Sequence, residues 1–196
     1  MTIRIERRIG ADTAEILDRV AALRIEVFRE YPYLYEGDLS YEQGYLRALA
    51  AAERAVIVCA IEGGEVVGAA TGAPLVTQVE DFRAPLEGAG LRAEEVFYFG
   101  ESVLLAPWRG RGIGHAFFDE REGHAREIDG IRHCSFCGVV RPEDHPARPA
   151  DHRPLDGFWR GRGYTPLPGA IGSFSWKELG DSAETPHPMQ FWLRTL

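Results

Sequence analysis

The segment Ala55–Ile61, AVIVCAI, constrains this chain more than any other. Its residues are all apolar and mostly β-branched. A strand with one wet face alternates apolar and polar residues, whereas an unbroken apolar run belongs to a strand covered on both faces. The run is far too short to span a bilayer. Glu62-Gly63-Gly64-Glu65 then turns the chain and VVGAATG returns it, the pattern of a tight hairpin. The architecture that covers such a pair is a central sheet with helices packed on its faces.

The rest of the chain fits that frame. TIRIERR (2–8) alternates well enough for a first strand. Asp12 followed by Glu15 marks a helix start, and Ile16, Val20, Leu23 and Val27 then recur on one helical face until Pro32. A second helix is predicted from Ser40, with Gln43 as its capping partner and Tyr41, Tyr45 and Leu49 as its buried stripe. Residues 96–105 read as a strand in which Gly100 marks a bulge or a close approach. Residues 113–128 read as a helix and 131–140 as a strand. The segment 141–154 holds four prolines and reads as a loop long enough to be functional or mobile. A short helix over 154–161 and strands near 171–178 and 187–195 finish the chain. The segment 77–91 is ambiguous between a short helix and a loop. No domain boundary is visible, so residues 1–196 are expected to form one α/β (α+β) domain. Its predicted core is a mixed, mostly antiparallel, twisted sheet of about six to seven strands flanked by about four helices.

The pentapeptide WRGRG occurs twice, at Trp108–Gly112 and Trp159–Gly163. In the first copy a strand and Pro107 lead into Gly110, Gly112 and Gly114, and a helix follows. The first amides of such a helix lack intrahelical partners and lie at its positive end, which suits an anion. The second copy ends a helix: glycine past the last turn is a C-cap, and Arg160 and Arg162 suit the negative end of the dipole. RNA binding through the two basic copies is the competing reading. Thirty acidic residues against 22 basic ones, a net charge of −8, disfavour a polyanion partner. No Lys-Ser or Lys-Thr follows the glycines, which excludes a P-loop, and the next strand lacks the layout of a dinucleotide site.

The stretch ESVLLAPWRGRGIGHAFFDE resembles the acyl-CoA-binding motif of the GNAT superfamily, the Gcn5-related N-acetyltransferases. Arg109, Gly112 and Gly114 meet the family pattern, and GFWRGRGY (157–164) resembles a later family segment. With the element order, the resemblance covers residues 2–178. It implies an N-acetyltransferase that uses acetyl-CoA as cosubstrate and a primary amine of a small molecule or peptide as acceptor, in a direct ternary-complex transfer. The diphosphate would sit on Arg109, Gly110, Arg111, Gly112, Ile113, Gly114 and His115. The pantetheine arm would follow Val103, Leu104 and Leu105, with a backbone N–H near Leu104 facing the acyl carbonyl. Trp159, from the later aromatic pair, is a further expected cofactor contact. A non-catalytic acyl-CoA-binding module or sensor on the same fold is the alternative.

An alkylammonium acceptor must lose a proton before it attacks, so a general base is required. Glu101 is the candidate, matching a glutamate of the family on this strand with a connection one residue shorter. Many members carry a tyrosine general acid where this chain has Phe158-Trp159, so Tyr164, or else Tyr98, is the substitute. Tyr33, Tyr35 and Glu36 fall between the first two helices, where the family places its acceptor wall, and aromatic faces with carboxylates suit a cationic amine.

Cys134-x-x-Cys137 with His145 and His152 lacks the spacing of a zinc site, and no metal is expected. Three cysteines without framework spacing, and an N-terminus without an apolar stretch, point to a cytoplasmic protein with reduced thiols and no membrane partner. Exposed terminal strands suit a homodimer.

Overall fold

The computed structural model describes residues 2–196. Seven strands form one sheet: β1 (Arg4–Arg8), β2 (Val56–Glu62), β3 (Glu65–Pro74), β4 (Val96–Leu104), β5 (His133–Val139), β6 (Thr165–Trp176) and β7 (Thr185–Thr195). Five α-helices flank it: α1 (Leu17–Phe28), α2 (Leu39–Ala51), α3 (Glu80–Gly88), α4 (Ile113–Arg126) and α5 (Asp156–Gly161). The strand order is β1-β2-β3-β4-β5-β7-β6, and every pair is antiparallel except β4 with β5. The expected mixed, mostly antiparallel sheet is therefore present.

The continuous apolar strand is covered on both faces, as its composition requires. Val56, Val58 and Ala60 of β2 pack with Ile113, Phe117 and Phe118 of α4 on one face. Ile57, Cys59 and Ile61 pack with Val20, Leu23, Leu46 and Leu49 of α1 and α2 on the other. A smaller cluster places Leu86 of α3 against Tyr98 and Phe191.

Four expectations need correction. Residues Gly10–Ile16 form a 3-10 helix, so α1 begins at Leu17 and not near Asp12. Asp38, and not Ser40, caps α2 by accepting from the Tyr41 amide at 2.8 Å. That start turns Tyr41 outward at 66% exposure and buries Glu42, Leu46 and Leu49. The last strand, β7, lies between β5 and β6, so the edges of the sheet are β1 and β6 and not the two terminal strands. β6 begins at Thr165, well before residue 171, with its register broken between Pro166 and Ile171. The ambiguous 77–91 segment contains α3.

Candidate functional site

The central strands part company at the middle of the sheet. β4 and β5 pair only through Val96–Tyr98 against His133–Ser135. Beyond that point they diverge, and a cavity of about 1230 Å³ opens between them. Phe99, Gly100, Glu101, Ser102 and Leu104 form one wall, and Phe136–Arg141 form the other.

A bulge shapes the β4 wall. Ala70 faces Ser102 and Gly72 faces Phe99, so Gly100 and Glu101 together oppose the single residue Thr71. Gly100 is required there, because a Cβ would meet Thr71 Oγ1 at 2.6 Å and the Tyr45 hydroxyl at 3.2 Å. The extra residue reverses the side-chain alternation of the strand. Phe97 and Phe99 face α4, and beyond the bulge it is Ser102 and Leu104 that do so. Glu101 and Val103 turn to the α1–α2 face. The Leu105 amide donates to Val67 O on β3 at 3.1 Å, so the Leu104 amide and carbonyl lie on the opposite, cavity edge.

Two arginines address Glu101 from the two faces. On the α1–α2 face Arg24 Nη1 meets Glu101 Oε2 at 2.5 Å, and Arg24 Nε also donates to Glu42. Tyr45 donates its hydroxyl to Glu101 Oε2 at 3.3 Å and lays its ring 4.4 Å from the Arg24 guanidinium. Burial pulls the Arg24 guanidinium down, but Glu101, Tyr45 and Glu42 outweigh it and hold it above its usual value. The second Glu101 oxygen, Oε1, is buried without a hydrogen-bond partner. On the α4 face Arg121, 1% exposed, donates from Nη1 to the carbonyls of Glu101 and Thr71, both at 3.1 Å. Its Nη2 donates to Ser102 Oγ at 2.8 Å.

The loop before α4 behaves as the glycines imply. Gly110 (φ +74°) and Gly112 (φ +82°) adopt left-handed conformations with open space where a side chain would be. Gly112 is the N-cap and no side chain caps the helix, so the amides of Ile113, Gly114 and His115 precede its first internal bond, Ala116 N to Gly112 O. Arg109 crosses the mouth of the cavity. Its Nε donates to Leu104 O at 2.9 Å, and its two terminal nitrogens hold Glu30 at 2.7 and 3.1 Å. The second WRGRG copy ends α5, with Gly163 at φ +86° and Arg162 tied to Asp119 and Glu122 of α4.

The cavity brings together Tyr33, Glu101, Leu104, Arg109, Gly110, Gly112, Gly114, His115 and Trp159. Val103 and Ile113 are buried in the cores on the two faces, Leu105 packs partly buried beside them, and Arg111 is exposed outside the cavity. Glu36 is likewise exposed, and pairs with Lys177 at 3.1 Å. Tyr35 is half-buried and bridges to Glu178. Tyr164 is not on the cavity wall: it is fully buried and donates to Glu122 Oε1 at 3.1 Å. That bond and burial, which holds its hydroxyl far above the usual phenol value, remove it as a proton donor to the cavity. Within the cavity wall, burial pushes the Cys137 thiol up to about 12, and Tyr98 shares a 3.1 Å contact with its sulfur. Cys134 faces the α4 core on the other side of β5.

Sequence reasoning missed Arg24, Glu42 and Arg121. A signal for each existed. Arg24 is four residues after Val20, Glu42 four before Leu46, and Arg121 midway between Phe117 and Ala125, so each is a charge on an apolar stripe. It also missed Tyr31, whose ring packs against His145 at 5.6 Å and His152 at 4.7 Å and so ties the 141–154 loop to the cavity mouth.

A model of the Acetyltransferase (GNAT) family matches residues 20–150. Among solved structures, Arabidopsis thaliana NAA60 in complex with acetyl-CoA aligns with all of this chain and 99% of its own, at 14% identity and a TM-score of 0.63. A ribosomal-protein-alanine N-acetyltransferase from Brucella melitensis aligns over 100% of both chains at 17% identity, TM-score 0.61. A putative phosphinothricin N-acetyltransferase covers 98% of this chain and 99% of its own at 14% identity, TM-score 0.62. At these identities the likeness is one of fold. No curated protein matches the chain in sequence.

Proposed function

The chain belongs to the GNAT acetyltransferase family, and from its site we propose an N-acetyltransferase that moves the acetyl group of acetyl-CoA directly to a primary amine of a small molecule or peptide. The observation that carries the reading is the β4 bulge. It sets a free strand edge on one cavity wall and puts Glu101, whose Oε1 is buried and unpartnered, in that wall, directly before a glycine loop and an uncapped helix start. Relatives of this fold include one in complex with acetyl-CoA and one with a bisubstrate analogue.

The residues suit the cosubstrate. Gly110, Gly112 and the first amides of α4 offer the diphosphate an open cup, with Arg109 beside it. The cavity edge of β4 offers the pantetheine amides a strand to pair with, and the Leu104 amide points where oxyanion charge would develop. Acetyl-CoA supplies a thioester whose thiol, with an ordinary pKa near 8.5, leaves without an obligatory acid. Glu101 Oε1 accepts the proton of an acceptor whose free pKa is about 10.4, directly or through water. Arg24 and Tyr45 fix the carboxylate in place for that task. Tyr33 walls the acceptor side, with Phe28 at 4.6 Å behind it. Three free thiols, Cys59, Cys134 and Cys137, suit a reducing cytoplasm, and no helix among the described residues is long and apolar enough to cross a membrane.

Glu101→Gln is expected to lower kcat by about 10²–10⁴-fold while calorimetric uptake of CoA stays the same. Unchanged turnover would remove the base assignment. Absence of any heat of CoA uptake would remove the reading as a whole, and CoA binding without turnover on a broad amine panel would leave a binding module.

A further inference from the structure

Arg24 is divided between two buried carboxylates. Glu42 of α2 and Glu101 of β4 have side chains 1% exposed, and the arginine between them is 12% exposed. Each carboxylate spends Oε2 on Arg24, and each is left with Oε1 buried and without a partner. Of the two, only Glu101 is a lining residue of the cavity, so its buried, unpartnered oxygen belongs to the cavity wall residue and that of Glu42 does not. An arginine facing one carboxylate prefers the bidentate fork, two parallel N–H···O bonds that occupy both oxygens. Here Glu42 claims the Nε edge and leaves Glu101 a single Nη1 contact. The rings of Phe28 at 5.1 Å and Tyr45 at 4.4 Å hold the guanidinium in that shared position. Arg121, on the other face of the sheet, touches the main-chain oxygen of Glu101 and not its carboxylate.

We propose that Glu42 is a positioning residue for the acceptor. By taking half of Arg24 it keeps Glu101 Oε1 unpaired, and the doubly acidic, singly basic triad makes that oxygen a receptor for an alkylammonium group. The acceptor class is then a strongly basic aliphatic amine bound as its cation, in preference to a weakly basic or neutral one. The assignment rests on the reading of the cavity as the acceptor site, but its consequences for binding do not require turnover.

The test compares n-butylamine with its near-isostere butan-1-ol, titrated into the full chain at pH 7.5 and followed by calorimetry or ligand NMR. The wild-type protein is expected to bind the ammonium about tenfold more tightly than the alcohol. In Glu42→Gln that ratio is expected to fall to about threefold or less while CoA affinity is unchanged, because Arg24 swings onto both Glu101 oxygens. Equal binding of amine and alcohol by the wild type, or a ratio that survives Glu42→Gln, overturns the proposal. Should Glu42→Gln not fold, Arg24→Lys serves instead. A single ammonium cannot fork onto Glu101, so the ratio is expected to hold or rise, and its loss overturns the proposal. Failure of the function itself reads differently, as absent CoA uptake beside an intact amine-over-alcohol preference.

Discussion

Replacing Arg121 by methionine separates what the fold needs from what the site needs. Arg121 has no carboxylate in ion-pair reach among the described residues. Its guanidinium lies 4.1 Å from the Phe99 ring and 5.1 Å from Phe118, and burial pushes it down to about 10. A fall of that size from 12.5, at about 1.36 kcal/mol per unit, means the fold carries this charge at a cost of about 3 kcal/mol, which methionine removes. Against that gain, the carbonyls of Thr71 and Glu101 lose their donor, at about 1–3 kcal/mol each. The two effects nearly cancel, so the net loss is expected to stay within about 3 kcal/mol, and Tm to fall by no more than about 12 °C. Activity should not be spared. The same two carbonyls define the bulge, and a displacement of about 1 Å at a reacting centre costs about 10²-fold in rate. Calorimetry and steady-state kinetics are therefore expected to give CoA affinity within about threefold of wild type and kcat lowered about 100-fold. A loss of all secondary structure would show that the hydrogen bonds outweigh the buried charge. An unchanged kcat would show that β3 pairing alone holds the bulge.

Two further outcomes follow from the same geometry. Glu30→Gln releases Arg109 from an ion pair that is 43% and 47% exposed and so worth at most about 1 kcal/mol, and CoA is expected to bind up to about fivefold more tightly. Arg109→Ala is expected to weaken it, and calorimetry giving the two substitutions the same sign would refute the assignment of Arg109. Burial raises the thiols of Cys59 to about 11 and of Cys134 and Cys137 to about 12, above an unfolded value near 8.5. The unfolded chain then gives up these protons first, so stability is full below about pH 8.5 and falls as pH rises through about 11–12. Urea midpoints should drop between pH 8.5 and 10.5, less steeply in Cys59→Ala, and a flat profile would contradict the burial of the thiols.

What could be read from the sequence was what local chemistry decides. Glycines that need positive φ placed the start of α4 and the end of α5, and Gly100 marked the bulge because a Cβ there would meet Thr71 Oγ1 at 2.6 Å. The unbroken apolar run of β2 announced two covered faces. What depends on distant partners was hidden. Nothing in β7 says that it inserts between β5 and β6, since antiparallel strands of similar composition pair equally well in either order. Tyr41 and Glu42 exchanged expected places because hydrophobicity favours burying the tyrosine, whereas Arg24, 18 residues earlier, offers the glutamate a charge to meet. Tyr164 reads as an available acid because nothing local announces Glu122, 42 residues away, which accepts its hydroxyl proton.

The site turns on one inserted residue. Without the bulge, strand alternation would send Glu101 to the same face as Phe97 and Phe99, against α4 and Arg121, and Ser102 toward α1. The carboxylate would then pair with the arginine that now has no acidic partner, and Arg24 would close on Glu42 alone. Opposing Gly100 and Glu101 to the single Thr71 exchanges those partners. It leaves Arg121 to bind the carbonyls of the bulge and Arg24 to be shared, with one Glu101 oxygen left buried and unpaired. The two arginines and the glycine between them are therefore one device. Substituting Gly100 should disturb both arginines at once, although it touches neither.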